Sequence, residues 1–359
     1  MKAGVHAIHW TTLAPFVGAG LLLGAERLPA GVPLTLGLVL VLAATVFAAV
    51  HHAEVVAHRV GEPFGTLLLA VAVTVIEVAL VVSMMLGGGP EKASLARDTV
   101  FSAIMIVCNG IVGLCLLLGG LRHRVQGFQL HGANAALGVL VPLAVLTLIL
   151  PNYMLSAPGP ALDTTQLAFV GLVSLAFYGV FVFVQTVRHR DYFLVPGSDE
   201  DEHAAPPGGW AALASAMLLM LALVAVVGLA KLLSPTVEAG VAQIGAPASV
   251  VGIVIAALVL MPEGLAAVRA ARADRLQTSL NLALGSVLAS IGLTIPVLAA
   301  IHVVLGQTLV LGLTERDAIL LVLTLFVSTM TLATGRTTVL QGMVHLLLFA
   351  VFLFLSVLP

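Results

Sequence analysis

The sequence predicts an all-α polytopic membrane protein with about eleven transmembrane helices. Of its 359 residues, 60% are apolar and only 9% are charged, and the mean hydropathy is +1.15. A soluble domain carries about 25% charged residues, so this chain has too few charges to cover a water-exposed surface. The composition therefore excludes a cytosolic enzyme, a nucleic-acid-binding protein and a disordered protein.

The apolar residues occur in long continuous runs, which favour helices over the short alternating strands of a membrane barrel. Runs of about 20 apolar residues bounded by glycine, proline or charge are typical of transmembrane helices. In chain order, the predicted spans are Thr11–Ala25, Val32–Val50, Pro63–Leu86, Thr99–Leu118, Leu130–Leu150, Thr165–Val187, Trp210–Leu232, Pro247–Val268, Leu276–Val304, Ala318–Ala333 and Val339–Leu358.

One polar segment divides the chain into two halves of five helices each. It contains the acidic run Asp199–Glu202, followed by prolines and glycines, a composition typical of a linker. An odd number of helices in each half inverts the second half relative to the first, as in secondary transporters. The predicted regions are a leading helix in 1–30, a first five-helix repeat in 31–188, an acidic linker in 189–208 and a second five-helix repeat in 209–359.

The basic residues predict the orientation of these spans. Ten of the 15 lysines and arginines fall on the side that holds the N-terminus and the linker. Cytoplasmic loops carry an excess of Lys and Arg. We therefore expect a cytoplasmic N-terminus, a cytoplasmic linker and an external C-terminus.

Glu77 is a candidate for ion binding because it lies deep in an apolar segment. It is the only ionisable residue between Glu62 and Glu91. Its distance from Pro63 places it about 21 Å along a helix of roughly 36 Å. An ionised carboxylate at such a depth costs roughly 2.5–3.5 kcal/mol on insertion scales and marks a functional site by default. The alternative is a neutral glutamic acid bonded to a neighbouring helix.

Glu263 is the second candidate, in the corresponding helix of the other half. It follows Pro262, which cannot donate a helical hydrogen bond and so is expected to free the carbonyl of Leu258. Carbonyl and carboxylate oxygens are the ligands that hard cations prefer. The alternative is an ion pair with Arg269 or Arg272 at the membrane surface.

Several polar residues could support these two carboxylates. The candidates for supplying neutral oxygens to a cation are Thr74, Asn109, Ser286 and Ser290. The alternative for each is ordinary hydrogen bonding between membrane helices.

Two further groups allow either a regulatory or an incidental interpretation. His51, His52 and His58 follow the second predicted span and titrate near neutral pH, so they are either pH sensors or incidental interfacial residues. The run Asp199–Glu202 either attracts cations to the cytoplasmic mouth or is a solvated spacer, which is the more common use of such a run.

Three stretches carry a family resemblance: Gly61–Thr66 through Ala72–Val78, then Met261–Arg269, then Asn281–Ser286 through Ile295-Pro296. They resemble the calcium/proton exchanger (CAX) branch of the cation/calcium exchanger superfamily, in particular the bacterial ChaA-type sodium/calcium:proton antiporters. The resemblance covers nearly the whole chain. It implies alternating-access exchange of cytoplasmic cations for external protons across a bacterial inner membrane. Glu77 and Glu263 match the two repeat-motif glutamates that would bind cation and proton in turn.

The resemblance also sets expectations for substrates and partners. The family motif commonly has asparagine three residues before each glutamate, where this chain has Thr74 and Leu260, and a histidine where it has Gly264. Fewer side-chain oxygens at the acids favour Na⁺ or a broad range of cations beside Ca²⁺, with K⁺ as a further candidate. We expect cations, protons and the lipid bilayer as partners, with no nucleic acid, no cofactor and a homo-oligomer left open. The alternative function is a cation channel lined by intramembrane carboxylates.

Overall fold

The computed structural model describes residues 9–25, 31–61, 64–86, 93–193, 206–305 and 309–358. In chain order the helices are α1 (Trp10–Gly24), α2 (Val32–Val60), α3 (Phe64–Leu86), α4 (Leu95–Met105), α5 (Val112–His123), α6 (Leu130–Ala144), α7 (Thr164–Phe183), α8 (Gly209–Gln243), α9 (Ser249–Arg272), α10 (Leu276–Leu305), α11 (Glu315–Leu332) and α12 (Val339–Val357). Short π-helical segments follow three of them, at Ile106–Ile111, Val145–Ile149 and Val184–Arg188, and 3₁₀ turns lie at Leu150–Tyr153 and Arg190–Tyr192.

The prediction of a polytopic all-α membrane protein is confirmed. The π-helical segment Ile106–Ile111 joins α4 to α5 as one continuous helix, Leu95–His123, so the described residues contain eleven helices. Nine of these are long and apolar enough to cross a membrane. The other two are α1, which has only 15 residues, and α11, which begins with three charged residues.

The described helices form two compact units. The first contains α1, α2, most of α3 and most of α8, and the second contains α4 to α7 together with α9 to α12. In the first unit, α1 packs along α2. Gly18 allows this close approach, because a Cβ atom there would lie 2.8 Å from the Thr45 hydroxyl.

The prediction that the second span ends at Val50 is wrong, since α2 continues to Val60. The added turns contain His52, which is buried and bonds through Nε2 to the carbonyl of Thr11 at 3.1 Å. Its other ring nitrogen contacts the hydroxyl of Ser215 on α8 at 3.3 Å. Tertiary hydrogen bonds therefore stabilise helical turns that hydropathy alone assigns to a loop.

Close backbone contacts and local capping position the helices of the second unit. A Cβ atom on Gly342 of α12 would overlap the backbone of Leu117 on α5, so these two helices require a glycine where they meet. Both α7 and α12 begin with a capping box, at Asp163 and Thr338 respectively. This box satisfies two otherwise unpaired helix-end donors.

The described residues also form one small sheet that was not predicted from the sequence. The strands β1 (Gln126–Gly127) and β2 (Arg336–Thr337) pair antiparallel, with Gln126 opposite Thr337 and Gly127 opposite Arg336. The pair links the α5–α6 loop to the α11–α12 loop. Two-residue strands leave no periodic signal in a sequence.

Candidate functional site

In the first unit, Thr74 and Glu77 lie about one helical turn apart on α3, so they share a face. Their exposed fractions are only 5% and 4%. Glu77 lies about 20 Å along this helix of roughly 35 Å, close to its middle. The structure therefore places a carboxyl group deep within a membrane-length helix, where an isolated charge is expensive.

In the second unit, Glu263 lies beyond the middle of α9. The residue is half-buried, and its Oε2 atom is buried. Pro262 is contained within α9 without ending it. The helix begins at Ser249, two residues after the predicted first residue Pro247, which is a small error in the boundary.

The remaining predicted residues of this unit lie on elements that pack against α9. The π-helical segment and α10 both contact α9 and also contact each other. Asn109 in the π-helical segment is fully buried, Ser290 on α10 is buried, and Ser286 is half-buried. The second unit thus brings Glu263, Asn109 and the two serines onto three mutually packed elements.

The contact between α9 and the π-helical segment is tight at the residue after Glu263. A Cβ atom on Gly264 would lie 3.0 Å from Cδ1 of Ile111. Side chains larger than glycine therefore require Ile111 to move. This contact gives a physical reason for glycine at a position where the resemblance leads one to expect histidine.

Asn109 takes part in a buried hydrogen-bond network with Thr324, His345 and Thr331, and at the edge of this network Sδ of Met105 accepts from the Thr324 hydroxyl at 3.4 Å. The Nδ2 atom of Asn109 donates to Thr324 Oγ1 at 2.8 Å, and its Oδ1 lies 3.2 Å from Nδ1 of His345. The other ring nitrogen of His345 lies 3.1 Å from Thr331 Oγ1. The amide oxygen keeps a second lone pair, so its prediction as a cation ligand stays a prediction.

His345 was not among the residues predicted from the sequence. This histidine is fully buried and lies within the apolar helix α12. A signal was present, since an ionisable residue inside a long apolar run marks a candidate site by default. The partners of His345 are 14 and 236 positions away in the chain, so no local pattern could reveal the network.

Two predicted groups have separate outcomes. The run Asp199–Glu202 and the pair Glu62-Pro63 lie outside the described residues. Of the histidines, His52 is buried between α1, α2 and α8, His51 lies beside it with ring centroids 5.4 Å apart, and His58 is exposed. His52 is thus a packing residue with satisfied ring nitrogens, while the pH-sensing interpretation stays untested.

The described residues contain no group of three or more His, Cys, Asp or Glu side chains that could hold a metal ion. Thr74, which shares a face with Glu77, and the polar side chains packed around α9 stay candidates for supplying neutral oxygens to a cation. Whether Glu77 and Glu263 share one site stays a prediction.

Comparison with known proteins identifies the family. The y4hA protein of Sinorhizobium fredii is 56% identical over 322 residues, which cover 89% of this chain and 87% of that protein. The sodium-potassium/proton antiporter ChaA of Escherichia coli is 36% identical over 333 residues, covering 92% and 90%.

Structure comparison gives the same fold. The crystal structure of the selenium-substituted Ca²⁺/H⁺ antiporter protein YfkE matches with a TM-score of 0.73 at 16% identity, covering 98% of this chain and 100% of that one. The family model described as "Sodium/calcium exchanger protein" matches residues 31–187 and 214–358. This chain therefore belongs to the sodium/calcium exchanger protein family.

Proposed function

We propose that this chain is a secondary active antiporter that exchanges cytoplasmic cations for external protons by alternating access. The observation that carries the proposal is the burial of Glu77 in the middle of a membrane-length apolar helix. A buried carboxyl group at that depth needs a proton or a cation. The ChaA relative, named as a proton antiporter, supports exchange over passive conduction.

The coupling follows from the chemistry of two carboxyl groups. We propose that Glu77 and Glu263 bind the cation when they are ionised and release it when they are protonated. Two ionised carboxylates close together repel each other unless a cation lies between them. Cation and proton occupancy then exclude each other, which is a negative coupling between the two ligands.

The substrates proposed are Na⁺ and Ca²⁺, with K⁺ as a third candidate. The family description names sodium and calcium, and the 36% identical ChaA relative is named for sodium and potassium. Thr74, Ser286 and Ser290 would supply neutral oxygens, with Asn109 as a further candidate. Neutral oxygens add no charge to the site, so they suit monovalent as well as divalent cations.

We further propose two five-helix repeats, in 31–188 and 209–359, after a leading helix in 1–30 and around the linker in 189–208. The protein would lie in a bacterial inner membrane with a cytoplasmic N-terminus and linker and an external C-terminus. The positive-inside distribution of basic residues supports this orientation. The two stretches matched by the family model support the division into halves.

Transport by purified protein in proteoliposomes tests the function. An imposed pH gradient should drive Na⁺ or Ca²⁺ movement in the opposite direction, and Glu77→Gln and Glu263→Gln should each abolish it. Glutamine keeps the shape of the side chain but cannot exchange a proton for a cation. The matched control is Glu315→Gln, the same change at an exposed position, and it should transport normally.

Three results would contradict the proposal. Cation flux that persists without a proton gradient and does not move protons would indicate a channel. Near wild-type exchange by either glutamine variant would remove that glutamate from the mechanism. Poorly folded variants that retain transport would indicate a structural role for the acid.

A further inference from the structure

The buried network around His345 links the last helix of the chain to the segment that carries Asn109. His345 is the only member of the network on α12, while Thr324 and Thr331 belong to α11. All four residues are at most 6% exposed. A polar network buried to this degree fixes the relative positions of its helices only while its bonds are complete.

The hydrogen bonds define the orientation of the Asn109 amide. Because Nδ2 donates to Thr324 at 2.8 Å, Oδ1 faces His345 and accepts from Nδ1–H in the tautomer that carries its proton there. The His345 ring also contacts the backbone of Cys108, in the same π-helical segment. Nε2 of the neutral ring then accepts from the Thr331 hydroxyl. This assignment uses every ring nitrogen and both ends of the amide.

Close packing also holds the backbone of α12 at His345. A Cβ atom on Gly113 of α5 would lie 2.9 Å from Cβ of His345 and 3.1 Å from the backbone nitrogen of Leu346. The histidine therefore enters the bundle beside a glycine and has little room to change its position. Because His345 is held in place and bonds to Asn109, it also restrains the π-helical segment that contains Asn109.

The π-helical segment is in turn the surface on which α9 rests beside Glu263. Ile111 closes this segment, and Cδ1 of Ile111 occupies the space next to Gly264. Single-turn π-helices are irregular and concentrate at functional sites. A side chain that holds the π-helical segment in place therefore also holds Ile111 in place beside the Glu263 region.

We propose that His345 is a positioning residue for exchange, which acts on the affinity of the Glu263 region for cations through its bond to Asn109. This inference rests on the proposed antiport function. His345 itself touches no cation. The bond from Nδ1 to Asn109 carries the effect, and the bond from Nε2 to Thr331 does not.

Two substitutions at position 345 separate the two bonds. In His345→Asn the amide nitrogen takes the place of Nδ1, so the bond to Asn109 is kept. In His345→Gln the amide group reaches the place of Nε2, so the bond to Thr331 is kept and the bond to Asn109 is lost. Thr331→Val removes the Nε2 partner alone and is the matched control.

Exchange kinetics in proteoliposomes test the proposal. His345→Gln should raise the KM for the cation roughly three- to tenfold, the effect of losing one buried hydrogen bond, with kcat little changed. His345→Asn and Thr331→Val should keep a KM near that of the wild type. In an Asn109→Ala background, His345→Gln should add no further increase.

Distinct results would overturn the inference. An unchanged KM in well-folded His345→Gln, or equal losses in the asparagine and glutamine variants, would show that the bond to Asn109 does not set affinity. If the single variants are unstable, His345→Gln is compared with wild-type His345 in the Asn109→Ala background. An additional increase in KM there would contradict the proposed path through Asn109. Wild-type protein that moves no cation under a pH gradient would instead reject the antiport function.

Discussion

The side-chain amide of Gln126 donates both to the Asp274 carboxylate at 2.8 Å and to the carbonyl of Ala271 at 3.0 Å. Gln126 belongs to β1 and is only 2% exposed, while Ala271 lies in the last turn of α9. The C-terminal carbonyls of a helix have no partners within the helix. Gln126 thus caps the helix that carries Glu263 from a strand that is distant in the chain.

Replacing Gln126 should destabilise the fold. Gln126→Ala removes a donor from the Ala271 carbonyl, which keeps the backbone N–H of Asp274 at 3.2 Å, and from the exposed Asp274 carboxylate. The free energy of unfolding should therefore fall by about 0.5–1.5 kcal/mol, the net value of one hydrogen bond. Unfolding in a denaturing detergent, followed by circular dichroism, measures the change. Asp274→Asn is the control, because its amide oxygen still accepts from Gln126. Equal stability of Gln126→Ala and wild type would show that water replaces the bond.

The contact between Gly264 and Ile111 predicts a compensating pair of substitutions. Gly264→Ala places a Cβ atom 3.0 Å from Cδ1 of Ile111, so exchange should fall. Ile111→Val removes that methyl group, so the double variant should recover most of the lost activity. The readout is the rate of proton-driven cation exchange. Full activity of Gly264→Ala alone would mean that Ile111 moves aside at no cost.

The predicted orientation can be tested with reporters that are active only in the cytoplasm. A reporter inserted into the run Asp199–Glu202 should be active, and one fused after Pro359 should be inactive. The excess of basic residues on one side is the reason. Activity at the C-terminus would contradict the odd number of crossings, and the inverted repeats would be rejected with it.

The acidic linker should be dispensable for exchange. Replacing Asp199–Glu202 with glycine and serine should leave most transport intact, with at most a change in apparent affinity. Exposed charges concentrate nearby ions but are screened by salt. Initial rates at low and high ionic strength measure the effect. Complete loss of exchange by well-inserted protein would make the run part of the mechanism.

Most of the helices were predictable from the sequence because a helix that crosses a membrane needs about 20 consecutive apolar residues. The starts of α2, α6, α10 and α12 agree with the predicted spans to the residue. The predicted ends of α2 and α8 were wrong, because the hydropathy of the sequence falls several residues before each helix ends. For α2, the end is set by Gly61, whose φ of 77° suits glycine and terminates the helix.

The candidate site was predictable in part. Glu77 could be found because one carboxylate stands alone in an apolar run, which is a local signal. The environment of Asn109 could not, since its partners Thr324 and His345 are more than 200 positions away. The π-helical turn around it also depends on packing in three dimensions. Sequence patterns identify the charged groups, whereas tertiary contacts determine what holds them.

The length of α8 has a consequence for how the protein meets lipid. Its 35 residues extend about 52 Å, whereas the hydrocarbon core is about 30 Å thick. Even a tilt of about 40° leaves a vertical extent of about 40 Å. Trp210 at the first turn is 85% exposed and suits one headgroup boundary. We therefore expect the surplus turns to emerge at the other boundary, where Glu238, bonded to Ser234 at 2.7 Å, would lie outside the acyl chains.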